Sequence, residues 1–162
     1  MAILVESIVL CALFSIPTIM MLKDPMIQIH NYPPVIIERA IQLGLTDETN
    51  RGRSKKTIIK KICAAILLGL IFALVVCNVN GASSFVEGFG YTYLLWGIVN
   101  LYDVIVLDII IFCHCKRFVL PGTEDMVKDY HDYWFHIKGG VMGMLYGLPV
   151  ALVVGGFVAL LA

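Results

Sequence analysis

The stretch GIVNLYDVIVLDIIIFCHCKR, residues 97–117, decides how this chain is read. It is long and apolar enough for a membrane helix, because crossing roughly 30 Å of hydrocarbon takes about 20 residues. Yet Asn100, Asp103 and Asp108 lie inside the apolar run, which closes on Cys113, His114 and Cys115. An aspartate at a helix centre costs about 2.5–3.5 kcal/mol on an insertion scale, and each Leu, Ile, Phe or Val returns about 0.3–0.6. The polar side must therefore turn toward other helices or a water-filled cavity.

Spacing at about 100° per residue sorts these groups along an α-helix. Trp96, Asn100, Asp103, Leu107, Ile110 and His114 fall in one stripe. Asp108 falls roughly 140° from Asp103 on that geometry. The spacing thus predicts two acids on different faces, with Asn100 beside Asp103 as a residue three away must be. Asp103 sits near the middle of the span and Asp108 nearer its inner end.

The rest of the chain supplies the membrane context. Hydrophobic residues make up 59% and charged residues 15% of 162, against about 45–50% and 25% in soluble domains; mean hydropathy is +0.87. Four spans are expected, at about 2–22, 57–79, 89–113 and 140–162. All twelve Lys and Arg residues fall in or beside the connections 23–56 and 114–139, and none lies between spans two and three. The positive-inside rule then predicts both termini outside and both long loops in the cytoplasm. The expected fold is an all-α integral membrane protein, a single four-helix domain over 1–162 with two short interfacial helices on the cytoplasmic side. Its expected place is the plasma membrane, as a multi-pass protein. The apolar N-terminus has no basic leader and carries Glu6, so it reads as a retained span.

Membrane helices meet through small residues that let backbones approach. Gly139, Gly143, Gly147, Ala151 and Gly155 form such a ridge in span four, and Ala65, Gly69 and Ala73 a shorter one in span two. Close packing within the bundle is the plain use of these ridges, and a homo-oligomer or a larger membrane partner the competing one. The cluster Arg51–Lys61 anchors topology, with anionic lipid headgroups as its other expected partner. Nothing points to nucleic acid.

In the first loop, Pro33 and Pro34 open a short amphipathic helix and Gly44 ends it. Ile36, Ala40 and Leu43 share its apolar face. In the second loop, Thr123 is an expected N-cap. A helix continuing from it would carry Val127, Tyr130, Trp134 and Ile137 on one face, and Asp125, Asp129, Asp132 and His136 on another. An oxygen and imidazole stripe of that kind is a candidate divalent-cation site, with His114 as a further ligand. No cofactor is specified by any pattern. HExxH, GxSxG, paired CxxC and phosphate-loop motifs are absent, and the five cysteines are expected to stay reduced.

Three functions compete. The intramembrane polar groups suit a small transporter or transport-system subunit, with Asn100, Asp103 and Asp108 binding a cation, proton or polar substrate. A membrane-embedded enzyme would instead use Asp108 and His114, joined by His30, His131 or His136, near the inner face. A non-catalytic accessory or immunity-type protein would act through the span-two and span-four ridges, with Asn100, Asp103 and Asp108 only holding helices together.

Overall fold

The computed structural model describes residues 2–47, 70 and 72–161. Its elements are helices, with no strand among the described residues. Helix α1 covers Ala2–Met21. A 3₁₀ segment, Pro25–Asn31, leads to α2, Pro34–Gln42. Residues 72–79 are helical. Helix α3, Phe85–Tyr102, continues as a π-helix over Asp103–Phe112. A short α4, Val127–Tyr130, precedes the long α5, Tyr133–Leu161. Three helical stretches are long and apolar enough to cross a membrane: Ala2–Met21, Phe85–Phe112 and Val127–Leu161. The first part of the expected second span, with Ala65 and Gly69, lies outside the described residues, as does the whole Arg51–Lys61 cluster.

Chain packing divides the protein into two compact units. The first comprises the described residues of Met1–Leu10, Ser54–Leu101 and Val141–Ala162. Its buried centre is Ala73, Val76, Ala82, Val154 and Val158. The glycine ridge of α5 is filled here from within the chain. A methyl group added to Gly143 would overlap the Asn100 side chain, one on Gly147 the Trp96 indole, and one on Gly155 the backbone of Phe85. Ala151 is fully buried between them. The Trp96 indole N–H donates to the Gly143 carbonyl at 3.0 Å, which ties the two helices where the ridge brings them close. Gly139, the first member of the expected ridge, meets nothing within 4 Å and takes no part.

The second unit comprises the described residues of Cys11–Arg53 and Tyr102–Gly140. Helix α2 forms as expected, with Pro34 in its first turn. Its end is a Schellman motif: Leu45 N–H donates to Ala40 O at 2.9 Å and Gly44 N–H to Ile41 O at 3.0 Å. That closure needs the left-handed φ of +70° at Gly44, which glycine adopts without a Cβ clash. Ile36 and Ala40 are fully buried. They sit in a core with Tyr32, Phe112, Cys113, Phe118, Leu120 and Tyr130. Helix α2 is thus integrated into a protein core by its apolar face.

The second loop departs from expectation. No continuous helix runs from Thr123 to Ile137. Helix α4 has four residues, and the chain turns at His131–Asp132 before α5 begins. Asp132 starts α5 by accepting from the Phe135 N–H at 3.0 Å. The apolar helix expected as span four therefore begins at Tyr133, well before the expected Gly140. Thr123 is not an N-cap either. Its hydroxyl is buried, donates to Leu120 O at 2.8 Å and lies 2.7 Å from the Tyr130 hydroxyl. Tyr130 also accepts from the Leu120 N–H at 2.9 Å. The Tyr32 hydroxyl donates to Phe118 O at 2.8 Å. Burial, with Tyr130 and Asp24 nearby, pushes the Tyr32 phenol above its usual range, so it remains a donor at physiological pH.

Two stability measurements check this packing. Gly147→Ala should lower the unfolding midpoint in detergent, by the equivalent of about 1–3 kcal/mol for an overpacked contact. Gly139→Ala should leave the midpoint level or raise it, and equal effects at both sites would refute the ridge assignment. Tyr130→Phe orphans a buried N–H and should cost about 1–3 kcal/mol, whereas Tyr32→Phe removes one donor from a carbonyl and should cost about 0.5–1.5. The reverse order would mean that the Leu120 N–H finds another acceptor.

Candidate functional site

Six of the ten residues from Asp103 to Phe112 are β-branched: Val104, Ile105, Val106, Ile109, Ile110 and Ile111. Such side chains crowd the preceding turn of an α-helix. The wider π turn, bonded from residue i+5 back to residue i, relieves that crowding. Its last bond is Cys113 N–H to Asp108 O at 2.9 Å. The sequence spans five residues from Asp103 to Asp108 and five more from Asp108 to Cys113. In a π-helix, bonded from residue i+5 back to residue i, residues five apart lie nearer one another around the axis than they do in an α-helix.

This overturns the expectation of two acids on different faces. The 140° separation assumed an α-helix throughout, and the segment between the acids is not one. Asp103 interacts electrostatically with both Asp108 and His136. Asp108 is the acid with a defined partner: its Oδ2 lies 3.1 Å from Nδ1 of His136. The His136 side chain is 3% exposed and that of Asp108 27%. Asn100 belongs to a different task, since its side chain packs over Gly143.

His136 is placed by the early start of α5. It lies in the helix's first turns, beside Phe112, whose ring centroid is 5.2 Å from its own, and Phe135, at 5.1 Å. In the 3.1 Å contact Nδ1–H donates to the carboxyl Oδ2. Nε2 is buried with no hydrogen-bond partner of good geometry. The Cys113 thiol is within electrostatic reach of the same imidazole. Cys113 is itself 4% exposed. Asp103, Asp108, Cys113 and His136 therefore form one cluster.

The expected cation stripe does not assemble. His136 turns inward to Asp108, while Asp125 and Asp132 are exposed and Asp132 caps α5. Asp129 lies on the separate α4. His114 joins a second aromatic group: its ring is 5.0 Å from that of His131, and its Nε2 is 3.3 Å from the Tyr133 hydroxyl. No group of three or more His, Cys, Asp or Glu suited to a metal ion occurs among the described residues. The expected helical stripe also ends at the π segment, where Leu107 is buried but Ile110 is 56% exposed. Sequence reasoning missed Cys113 as a neighbour of His136. The β-branched run was the available signal that α spacing would fail there.

A cleft of about 290 Å³ lies beside the π-helix, walled by Ile19, Leu22, Leu107 and Ile111. Its polar end is the Ser15 hydroxyl, 2.8 Å from that of Tyr102. Comparison with protein-family models, curated proteins and solved structures finds no match to this chain.

A double-mutant cycle tests the central pair. Asp108→Ala should destabilise by about 1–3 kcal/mol, because it strands the buried Nδ1–H. Adding His136→Phe should recover part of that loss. A strictly additive pair of losses would show that the two side chains are not coupled.

Proposed function

We propose that this chain is a four-span plasma-membrane protein, both termini outside, that acts as a membrane-embedded acid–base enzyme through Asp108 and His136. The observation that carries the reading is the 3.1 Å Asp108–His136 contact, with the opposite ring nitrogen buried and unengaged. A carboxylate on Nδ1 fixes the imidazole's tautomer and orientation. It leaves Nε2 to take a proton from a substrate or nucleophile and return it to a leaving group, the division of labour of a Ser-His-Asp site. Three helices long and apolar enough to cross a membrane support the setting. The distribution of Lys and Arg supports the orientation. Large side chains exposed along α1, among them Leu4, Ile8, Leu13, Phe14 and Ile19, suit contact with lipid or with another membrane chain.

A second reading draws on Asp103. Two carboxyls and an imidazole within electrostatic reach inside an apolar helix pair suit a proton or cation pathway, as in a small transporter or transport-system subunit. Asn100 packs over Gly143 and falls outside that cluster. The enzyme reading is therefore preferred.

Purified protein in detergent should turn over one class among ester, thioester, amide and phosphoester substrates. The rate should fall about 10²–10⁴-fold in Asp108→Asn and His136→Gln, the usual contribution of a general acid–base group. Turnover unaffected by either change, with helix content retained, would remove His136 from that role. Proton uptake into sealed vesicles that is lost in Asp103→Asn would then favour the transport reading.

A further inference from the structure

The acid–base reading makes no use of the cleft between α1 and the π-helix. Ile19 and Leu22 line it on one side, Leu107 and Ile111 on the other. Ser15 and Tyr102 stand at one end, and Thr18 also lines the wall. From Ser15 to Leu22 is seven residues, or about 10 Å at 1.5 Å per residue. The volume of about 290 Å³ is near the lower bound for small-molecule sites, which suits one narrow ligand.

The two ends differ in what they ask of a ligand. A hydroxyl has one proton to give. That of Ser15 goes to the Cys11 carbonyl at 2.8 Å, so Tyr102 O–H is the donor in its 2.8 Å contact with Ser15 Oγ. Both donors are spent within the chain, and this end needs no polar group from a ligand. The opposite end is basic. Lys23 follows Leu22, and its N–H donates to Met20 O at 3.0 Å, which keeps it in the turn that closes α1. Across the cleft, the Cys115 N–H donates to Ile111 O at 2.9 Å, so Lys116 and Arg117 come just past Ile111. Leu22 and Ile111 pack against the same core, which sets these two walls side by side. Lys23, Lys116 and Arg117 are all exposed. Asp24, the acid beside Lys23, already accepts from the Met26 N–H at 2.9 Å.

Basic side chains at the end of a membrane span reach the headgroup layer and attract anionic lipid. A phosphate held there would send its hydrocarbon along the cleft, away from the charges. We propose that this cleft binds one anionic phospholipid, with an acyl chain along Ile19, Leu22, Leu107 and Ile111 and the phosphate at Lys23, Lys116 and Arg117. The inference rests on the membrane-spanning reading and is independent of Asp108 and His136. It is also separate from the lipid contact expected at Arg51–Lys61. A zwitterionic headgroup carries its own cation beside the phosphate, so the three basic residues favour a lipid without one.

The full chain in detergent is titrated with dioleoyl phosphatidylglycerol or dioleoyl phosphatidylcholine, and retained lipid is counted by native mass spectrometry. One phosphatidylglycerol per chain is expected, bound at least about tenfold more tightly than phosphatidylcholine. Lys23→Gln, Lys116→Gln and Arg117→Gln should each weaken phosphatidylglycerol about fivefold, the usual worth of one basic residue at the headgroup layer, and leave phosphatidylcholine level. Ile19 lines the cleft but is 56% exposed, so Ile19→Trp fills the cleft without entering the core. With helix content retained, it should abolish retention of phosphatidylglycerol. Equal binding of the two lipids by wild type overturns the proposal, as does retention unchanged in Ile19→Trp. Displacement of the lipid by an equal concentration of inorganic phosphate overturns the part assigned to the acyl chain. A chain that leaves native membranes on alkaline washing overturns the spanning reading and this proposal together. A chain that stays embedded yet shows no lipid preference overturns this proposal alone.

Discussion

The second unit is organised around one contact, the 3.1 Å approach of Asp108 to His136. It joins the π-helical segment to the start of α5 in a region otherwise made of aromatic packing. Burying the imidazole N–H or the carboxylate is costly unless the other is present to pair with it. The backbone on both sides is shaped to bring them together. On one side the α-helix widens to a π-helix. On the other α5 begins at Tyr133, so that His136 lies in the first turns of the long apolar helix and not on a separate interfacial one. Both departures from simple helical reading serve the same pair.

The apolar helices and the close-packing ridge were legible in the sequence because they depend on residue class and period alone. Gly143, Gly147, Ala151 and Gly155 are buried or half-buried against other elements in the first unit, as i+4 spacing requires. The Pro34 start and Gly44 stop of α2 were equally legible, since each rests on a backbone restriction peculiar to that residue. What failed was every inference that carried α geometry across a place where the helix changes. The Asp103–Asp108 angle failed at the π-helix. The stripe from Asp125 to His136 failed at the turn between α4 and α5. Both errors hid His136, whose partner is 28 residues earlier and reachable only through tertiary packing.

The same helix answers two different demands. Within Val141–Ala162, α5 needs small residues, because backbones approach closely and interhelical contacts are made by Trp96 and Asn100 against glycines. Before Gly140 it needs polar and aromatic residues: Asp132 to start the helix, Phe135 to pack, His136 to meet Asp108. The hydropathy of residues 140–162 gives the membrane-crossing part and says nothing of this preceding turn. That is why a composition window puts the helix start too late.

The state of the polar atoms distinguishes packing from chemistry in the second unit. Tyr32, Thr123 and Tyr130 are buried, and each hydroxyl has a partner: a carbonyl, a backbone N–H or another hydroxyl. A core that needed only cohesion would treat His136 in the same way, or replace it with an aromatic ring beside Phe112 and Phe135. Instead Nδ1 is engaged and Nε2 is not, the one such buried side-chain atom among the described residues of this unit. An unpaired buried polar atom costs about 1–3 kcal/mol. Retaining one, with a carboxylate fixing the other side of the ring, is the feature on which the proposed acid–base role of His136 rests.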